Sequence, residues 1–209
     1  DKIVMTGNPV RRDLLEKAPD RAKALESFGL HADAPTLLVI GGSLGARTLN
    51  ESMEAGIRKL AENGIQVIWQ TGKNFGDRGP EAVKGLKGIV VTKFITDMAS
   101  AYAAADLVVS RAGAGSISEI ELLAKPCILV PSPNVAEDHQ TKNARALADH
   151  DAAILIPDDR ARESLVDTAI ETIRNSGKLA EMSANVAKLA LTESDDKIVD
   201  EVIKILNRK

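Results

Sequence analysis

The chain has 209 residues, enough for one large α/β domain with its own core. A net charge of −3 offers no broad basic surface for nucleic acid, and an aromatic content of 2% leaves no stacking platform for single strands. One cysteine, Cys127, excludes an internal disulfide and fits a reducing compartment, and no apolar run approaches the roughly 18 residues that span a membrane.

The chain opens on Asp1-Lys2-Ile3-Val4-Met5 without an initiator methionine, as expected of a piece of a longer protein. Ile3 to Thr6 predicts a short strand, and Gly7-Asn8-Pro9-Val10-Arg11 a rigid turn. Charged, helix-prone residues run from Arg12 to Phe28. Thr36 to Ile40 is the first clear core strand, closed by Gly41-Gly42-Ser43-Leu44-Gly45, with a helix from Ala46 to Glu62. A strand follows at Gln66 to Trp69, then the turn Thr71-Gly72 and a glycine-punctuated stretch, Gly76 to Gly88, with one short helix. Strand Ile89 to Val91 leads to Phe94-Ile95-Thr96-Asp97, where a helix starts. Leu107 to Val109 is the next strand, Ile117 to Ala124 the next helix, and Ile128 to Val130 the next strand. A helix from Asp138 to Ala148, a last strand from Ala153 to Ile156 and three helical segments, Ser164 to Arg174, Leu179 to Leu191 and Asp195 to Leu206, complete the chain.

Short strands, apolar on both faces and alternating with helices, describe a parallel sheet covered on both sides. The expected architecture is α/β, a doubly wound Rossmann-like parallel sheet of about six strands, which binds ligands at the carboxyl ends of its strands. Every loop of chemical interest follows a strand, so all should lie on one edge.

Gly41 to Gly45 reads as a phosphate turn or as a plain strand–helix turn. It lacks the dinucleotide spacing G-x-G-x-x-G and the Gly-Lys-Ser/Thr of a P-loop. Ser110-Arg111-Ala112-Gly113-Ala114-Gly115-Ser116 is a second turn of small residues between a strand and a helix. Ser116 and Glu119 fit a capping box, or Glu119 holds the hydroxyls of a ribose. Two such turns converging on one diphosphate would stabilise a departing nucleoside diphosphate without a metal. Asp138 to Asn143 reads as helix capping, or as Gln140 meeting sugar hydroxyls. Asp149-His150-Asp151 falls on the opposite edge, Asp158-Asp159 reads as a surface turn and Asp195-Asp196 as a helix start, so no metal site is expected. Cys127, Trp69 and Tyr102 read as packing residues.

The motifs Gly7 to Arg11, Gly41 to Ala46 with Leu49-Asn50, Phe94 to Met98 with Ala101-Tyr102, Ser110 to Glu119, and Val130 to Ala144 appear in order. Together they resemble the C-terminal half of the MurG-type UDP-N-acetylglucosamine transferases, which complete lipid II in bacterial cell-wall synthesis. The resemblance covers nearly the whole chain. It implies one half of a GT-B glycosyltransferase, with residues 1–12 as interdomain linker and leading strand and 13–209 as the UDP-sugar domain with its C-terminal helices. On the same resemblance, the acceptor-binding N-terminal domain is expected to lie outside this sequence. It further implies an inverting, metal-independent transfer of GlcNAc to the 4-hydroxyl of the lipid-linked MurNAc, with no cofactor and no catalytic residue in this half. By resemblance Arg11 and Ile95 lie near the uracil, and Ser43 meets the diphosphate. Ala114, Gly115, Ser116, Ile117 and Ser118 line phosphate and ribose, Glu119 takes the ribose hydroxyls and Gln140 the sugar. Gly115-Ser116 departs from relatives that carry a bulkier residue followed by Thr. Lipid I and the membrane would be met by the absent half, at the cytoplasmic face of the bacterial inner membrane, with this piece soluble and inactive alone. A donor-binding subunit of a split transferase and a non-enzymatic nucleotide-binding module remain open alternatives.

Overall fold

The computed structural model describes residues 3–16 and 19–207. Six strands, β1 (Thr36–Ile40), β2 (Gln66–Gln70), β3 (Ile89–Thr92), β4 (Leu107–Ser110), β5 (Cys127–Leu129) and β6 (Ala153–Leu155), form one sheet in the order β3-β2-β1-β4-β5-β6. Every neighbouring pair is parallel. The strands are apolar on both sides because both sides are covered. Leu38, Ile40, Val108 and Leu129 face one core with α5 (Met98–Ala104), α6 (Ala114–Leu122) and α7 (His139–Ala148). Leu37, Val39, Trp69 and Val109 face the other with α3 (Arg47–Glu62) and α8 (Ala161–Ile173). Each such side chain contributes about 1.5–3 kcal/mol on burial. Leu49, Met53, Ile57 and Leu60 give α3 the buried stripe that helical spacing demands.

Four of the remaining helices are α1 (Asp13–Glu16), α2 (Arg21–Ser27), α4 (Arg78–Ala82) and α9 (Ser176–Ala187), and α10 (Ser194–Leu206) ends the described chain. The helix-prone stretch from Arg12 to Phe28 is two helices. Asp20 restarts it after Pro19, its carboxylate accepting from the Lys23 amide at 2.9 Å.

Two expectations fail here. Residues 3–6 form no strand; Ile3 and Met5 are 87% and 81% exposed, and among the described residues they pair with no strand of the sheet. Helix α6 starts at Ala114, three residues before Ile117, with Gly113 extended as its N-cap. Ser116 is thus inside the first turn, and of the two readings of Ser116 and Glu119 the capping box does not form. Ala114 and Gly115 carry no side chain large enough to oppose that early start.

The strand order positions the site. β1 and β4 are adjacent, and the connections leaving them run to opposite sides of the sheet. That is the point at which doubly wound sheets open a crevice.

Candidate functional site

The turns after β1 and β4 open into one cavity of about 500 Å³. Its walls are Gly41, Gly42, Gly45 and Ala46 from the first turn, Arg111, Gly113 and Ser116 from the second, and Ser132 to Asn134 with Gln140 beyond β5. Two helices begin on this cavity. α3 starts behind Ala46 and α6 behind Gly113, and neither cap residue supplies a side-chain hydrogen bond. The first N–H groups of a helix have no carbonyl partner within it. Two uncapped N-termini on one cavity therefore present unpaired donors and two positive dipole ends to whatever occupies it.

The first turn is held from behind. Gly45 has φ +85°, and a Cβ there would lie 2.1 Å from the Thr71 carbonyl oxygen; a Cβ on Gly72 would lie 2.0 Å from the Gly45 nitrogen. Glycine is required at both for the β1 and β2 exits to touch. The Lys73 amide donates to the Ser43 carbonyl at 3.1 Å. Buried Asn50 completes the bracket: its amide donates to the Thr71 carbonyl at 2.7 Å and its oxygen accepts from the Trp69 indole at 3.0 Å.

The opposite wall is held by charge. The Arg111 guanidinium donates to the Val130 and Pro131 carbonyls, each at 3.0 Å, and pairs with Asp158. The other Asp158 oxygen accepts from the Thr48 hydroxyl at 2.9 Å. One carboxylate after β6 thus ties together α3, the β4 exit and the β5 exit. Asp159 is exposed, as a surface turn requires, but Asp158 is not: its side chain is 21% exposed and lines the cavity. The signal available in the sequence was Arg111, a charge between two apolar strands that needs a buried partner.

The other expected site residues are distributed around this centre. Gln140 and Ser116 line the cavity. Gln140 accepts from the Ser132 amide at 2.9 Å through its oxygen, which leaves its NH₂ as the donating group. Asp138 stands before α7 as expected, but in a left-handed conformation and without a side-chain cap bond to the backbone; it accepts instead from the Thr141 hydroxyl. Ser43 is on the first turn but is not part of the cavity wall. Ala114, Ile117 and Ser118 border a neighbouring hollow beside residues 4–8, where the Asn8 amide donates to the Ser118 hydroxyl at 3.2 Å. Ala114 and Gly115 are exposed on the first turn of α6. Ile95 is buried under a separate hollow with Phe94 and Asp97. Asp97 caps α5, and hydrogen bonds from the Ser100 hydroxyl and amide hold its carboxyl below the usual range, with Arg11 adding to the effect. Arg11 itself is exposed and pairs with Asp13 at 3.7 Å.

Glu119 accepts from the Tyr102 hydroxyl at 2.8 Å. Burial, then the Glu119 charge, push the Tyr102 phenol well above its ordinary value. Burial likewise pushes Glu121 up to about 7 and the Cys127 thiol up to about 12, so Cys127 is a packing residue. Among the described residues no group of three or more His, Cys, Asp or Glu is placed to hold a metal ion, and no helix is long and apolar enough to cross a membrane.

Comparison with known proteins fits this geometry. The family model described as glycosyltransferase family 28 C-terminal domain matches residues 36–200. A UDP-N-acetylglucosamine–N-acetylmuramyl-(pentapeptide) pyrophosphoryl-undecaprenol N-acetylglucosamine transferase of Bacteroides thetaiotaomicron is 56% identical over 209 residues, covering 98% of this chain and 56% of the relative. The transferase of the same name from Parabacteroides distasonis is 51% identical over 211 residues, covering 100% of this chain and 57% of its own. Among solved structures, Acinetobacter baumannii MurG superposes with a TM-score of 0.76 at 30% identity, covering 91% of this chain and 55% of that one. The chain spans about half the length of the curated relatives it matches.

Proposed function

The chain belongs to the glycosyltransferase family 28 C-terminal domain family, and from that premise we propose that it is the donor-binding half of an inverting, metal-independent N-acetylglucosaminyltransferase. Its donor is UDP-GlcNAc. The whole protein moves GlcNAc to the 4-hydroxyl of the undecaprenyl-pyrophosphoryl-MurNAc-pentapeptide, forming lipid II for peptidoglycan. Residues 1–12 are the link to the acceptor half, and 13–209 the donor domain. Lipid I, the membrane surface at the cytoplasmic face and the catalytic base belong to the other half of the protein.

One observation carries this reading: the uncapped N-termini of α3 and α6 open on the same cavity at the switch point of the sheet. A diphosphate placed there meets the amides of both turns. As UDP departs, negative charge grows on the β-phosphate, and pre-aimed N–H dipoles stabilise it without having to reorganise. Gln140 reaches the sugar from the third wall, and Ser43, on the first turn, meets the diphosphate. Arg11 and the Ile95 backbone serve the uracil, and Ala114 to Ser118 line phosphate and ribose. Glu119, committed to no helix cap, takes the ribose hydroxyls.

Calorimetric titration of the chain tests it. UDP-GlcNAc and UDP bind, ADP and NAD bind far more weakly, and EDTA changes nothing. Equal affinity for ADP and UDP would point to a general nucleotide module, and an EDTA-sensitive interaction would return the leaving-group role to a metal.

A further inference from the structure

We propose that Tyr102 is the positioning residue for Glu119, so that ribose recognition by α6 is set by a buried phenol on α5. The inference rests on the proposed donor site, in which Glu119 meets the ribose hydroxyls.

Tyr102 is 1% exposed, and its hydroxyl donates to Glu119 Oε2 at 2.8 Å across the space between two helices on the same side of the sheet. A buried phenol needs an acceptor. A backbone carbonyl would suffice for packing. Here the acceptor is a half-buried carboxylate one turn along from Ser116, which lines the donor cavity. Helical side chains slope back toward the N-terminus, so this carboxylate serves the turn on which the diphosphate is placed. A carboxylate offers about four acceptor positions. Tyr102 uses one on Oε2, which leaves Oε1 and the second position of Oε2 for a pair of neighbouring hydroxyls. The glutamate is thereby held before the ligand arrives, and less rotamer entropy is lost on binding.

The phenol is suited to that task. Burial and the adjacent Glu119 charge keep it protonated, and therefore a donor, across the range in which proteins work. Its helix is anchored by Asp97 at the N-cap, two residues after Ile95. The turn that leads into α5 thus carries the backbone assigned to the uracil, and α5 itself carries the hydroxyl that aims the ribose carboxylate.

The test titrates UDP and 2′,3′-dideoxy-UDP against the native chain, Tyr102→Phe, Glu119→Ala and the double variant. The native chain is expected to prefer UDP. Tyr102→Phe keeps the ring packing and should weaken UDP binding roughly fivefold to tenfold, the size of one ordinary hydrogen bond, while binding of the dideoxy analogue is unchanged. On the Glu119→Ala background, Tyr102→Phe should have no further effect. If Tyr102→Phe weakens both ligands equally, or leaves the preference for UDP intact, the positioning role is refuted while the ribose role of Glu119 stands. If the native chain itself shows no preference for UDP, the ribose role fails and this inference falls with it. A measurement without a variant adds a second check: Tyr102 is the sole tyrosine, so ¹³Cζ labelling gives one resonance. Saturating UDP should shift it more than the dideoxy analogue does; equal shifts, or none, would overturn the proposal.

Discussion

Replacing Asp158 with alanine removes the carboxylate that ties α3 to Arg111 and, through it, to the β5 exit around the cavity. Arg111 is left with its two carbonyl partners but no counter-charge, and the Thr48 hydroxyl loses its acceptor. Breaking a fully buried ion pair costs about 3–5 kcal/mol, and an exposed one under about 1 kcal/mol. The side chains of Arg111 and Asp158 are 16% and 21% exposed, which places the pair between those limits. We expect a loss of about 2 kcal/mol from the pair and about 1 kcal/mol from the unmade Thr48 bond. For a chain of this size that is a fall of about 6–12 °C in melting temperature. Asp158→Asn keeps an acceptor for Thr48 and should lose about two-thirds as much. Differential scanning calorimetry of both variants, with and without UDP, reads the effect. In Asp158→Ala, saturating UDP should restore less stability than in the native chain, because the cavity walls are no longer tied. A melting temperature within about 1 °C of native would refute the reasoning, since the cluster would then carry no load.

Three further outcomes are expected. Gly45→Ala places a Cβ 2.1 Å from the Thr71 carbonyl oxygen at φ +85°, and should cost more than about 3 kcal/mol in a urea titration followed by Trp69 fluorescence; an unchanged midpoint would contradict the close contact of the β1 and β2 exits. Glu121 titrates near 7 in the folded chain and at its ordinary 4.5 when unfolded, so its protonation favours the fold below about 4.5 and that advantage is lost as pH rises to 7. Glu121→Gln should therefore be more stable than native by about 1–2 kcal/mol at pH 8, after allowance for the solvent that reaches this half-buried group, and no more stable near pH 4.5; an equal difference at both pH values would refute the burial effect. Glu119→Ala should weaken UDP binding about tenfold and lower stability by about 1–2 kcal/mol through the orphaned Tyr102 hydroxyl, and unchanged affinity would leave Glu119 with a structural role alone.

Much of the fold was legible because the strands are buried on both faces. Leu37 to Ile40 and Leu107 to Val109 are apolar without alternation, which a one-sided sheet does not permit. The six-stranded parallel sheet, its helices on both faces and the shared edge of the loops follow from that pattern. The strand order is not local information. It decides that the β1 turn adjoins the β4 turn, and hence that the two turns share one cavity. The failures have physical causes of their own. Ile3-Val4-Met5 has strand-forming side chains, yet a strand exists only beside a partner. Ser116 has the side chain of a cap, but Gly113 takes the position in an extended conformation, and Ala114 and Gly115 continue the helix. Asp158 was hidden because an Asp-Asp pair after a strand looks like any solvated turn, and only the buried guanidinium of Arg111, distant in sequence, tells the first aspartate from the second.

The most direct measurement is a UDP titration of the ¹⁵N-labelled chain, followed at the amides of Gly42, Gly45, Gly113 and Ser116. If both turns grip one diphosphate, all four resonances move together with a single dissociation constant, with or without EDTA. If the amides of one turn move while those of the other stay still, or the two turns saturate at different UDP concentrations, the two turns do not form one site.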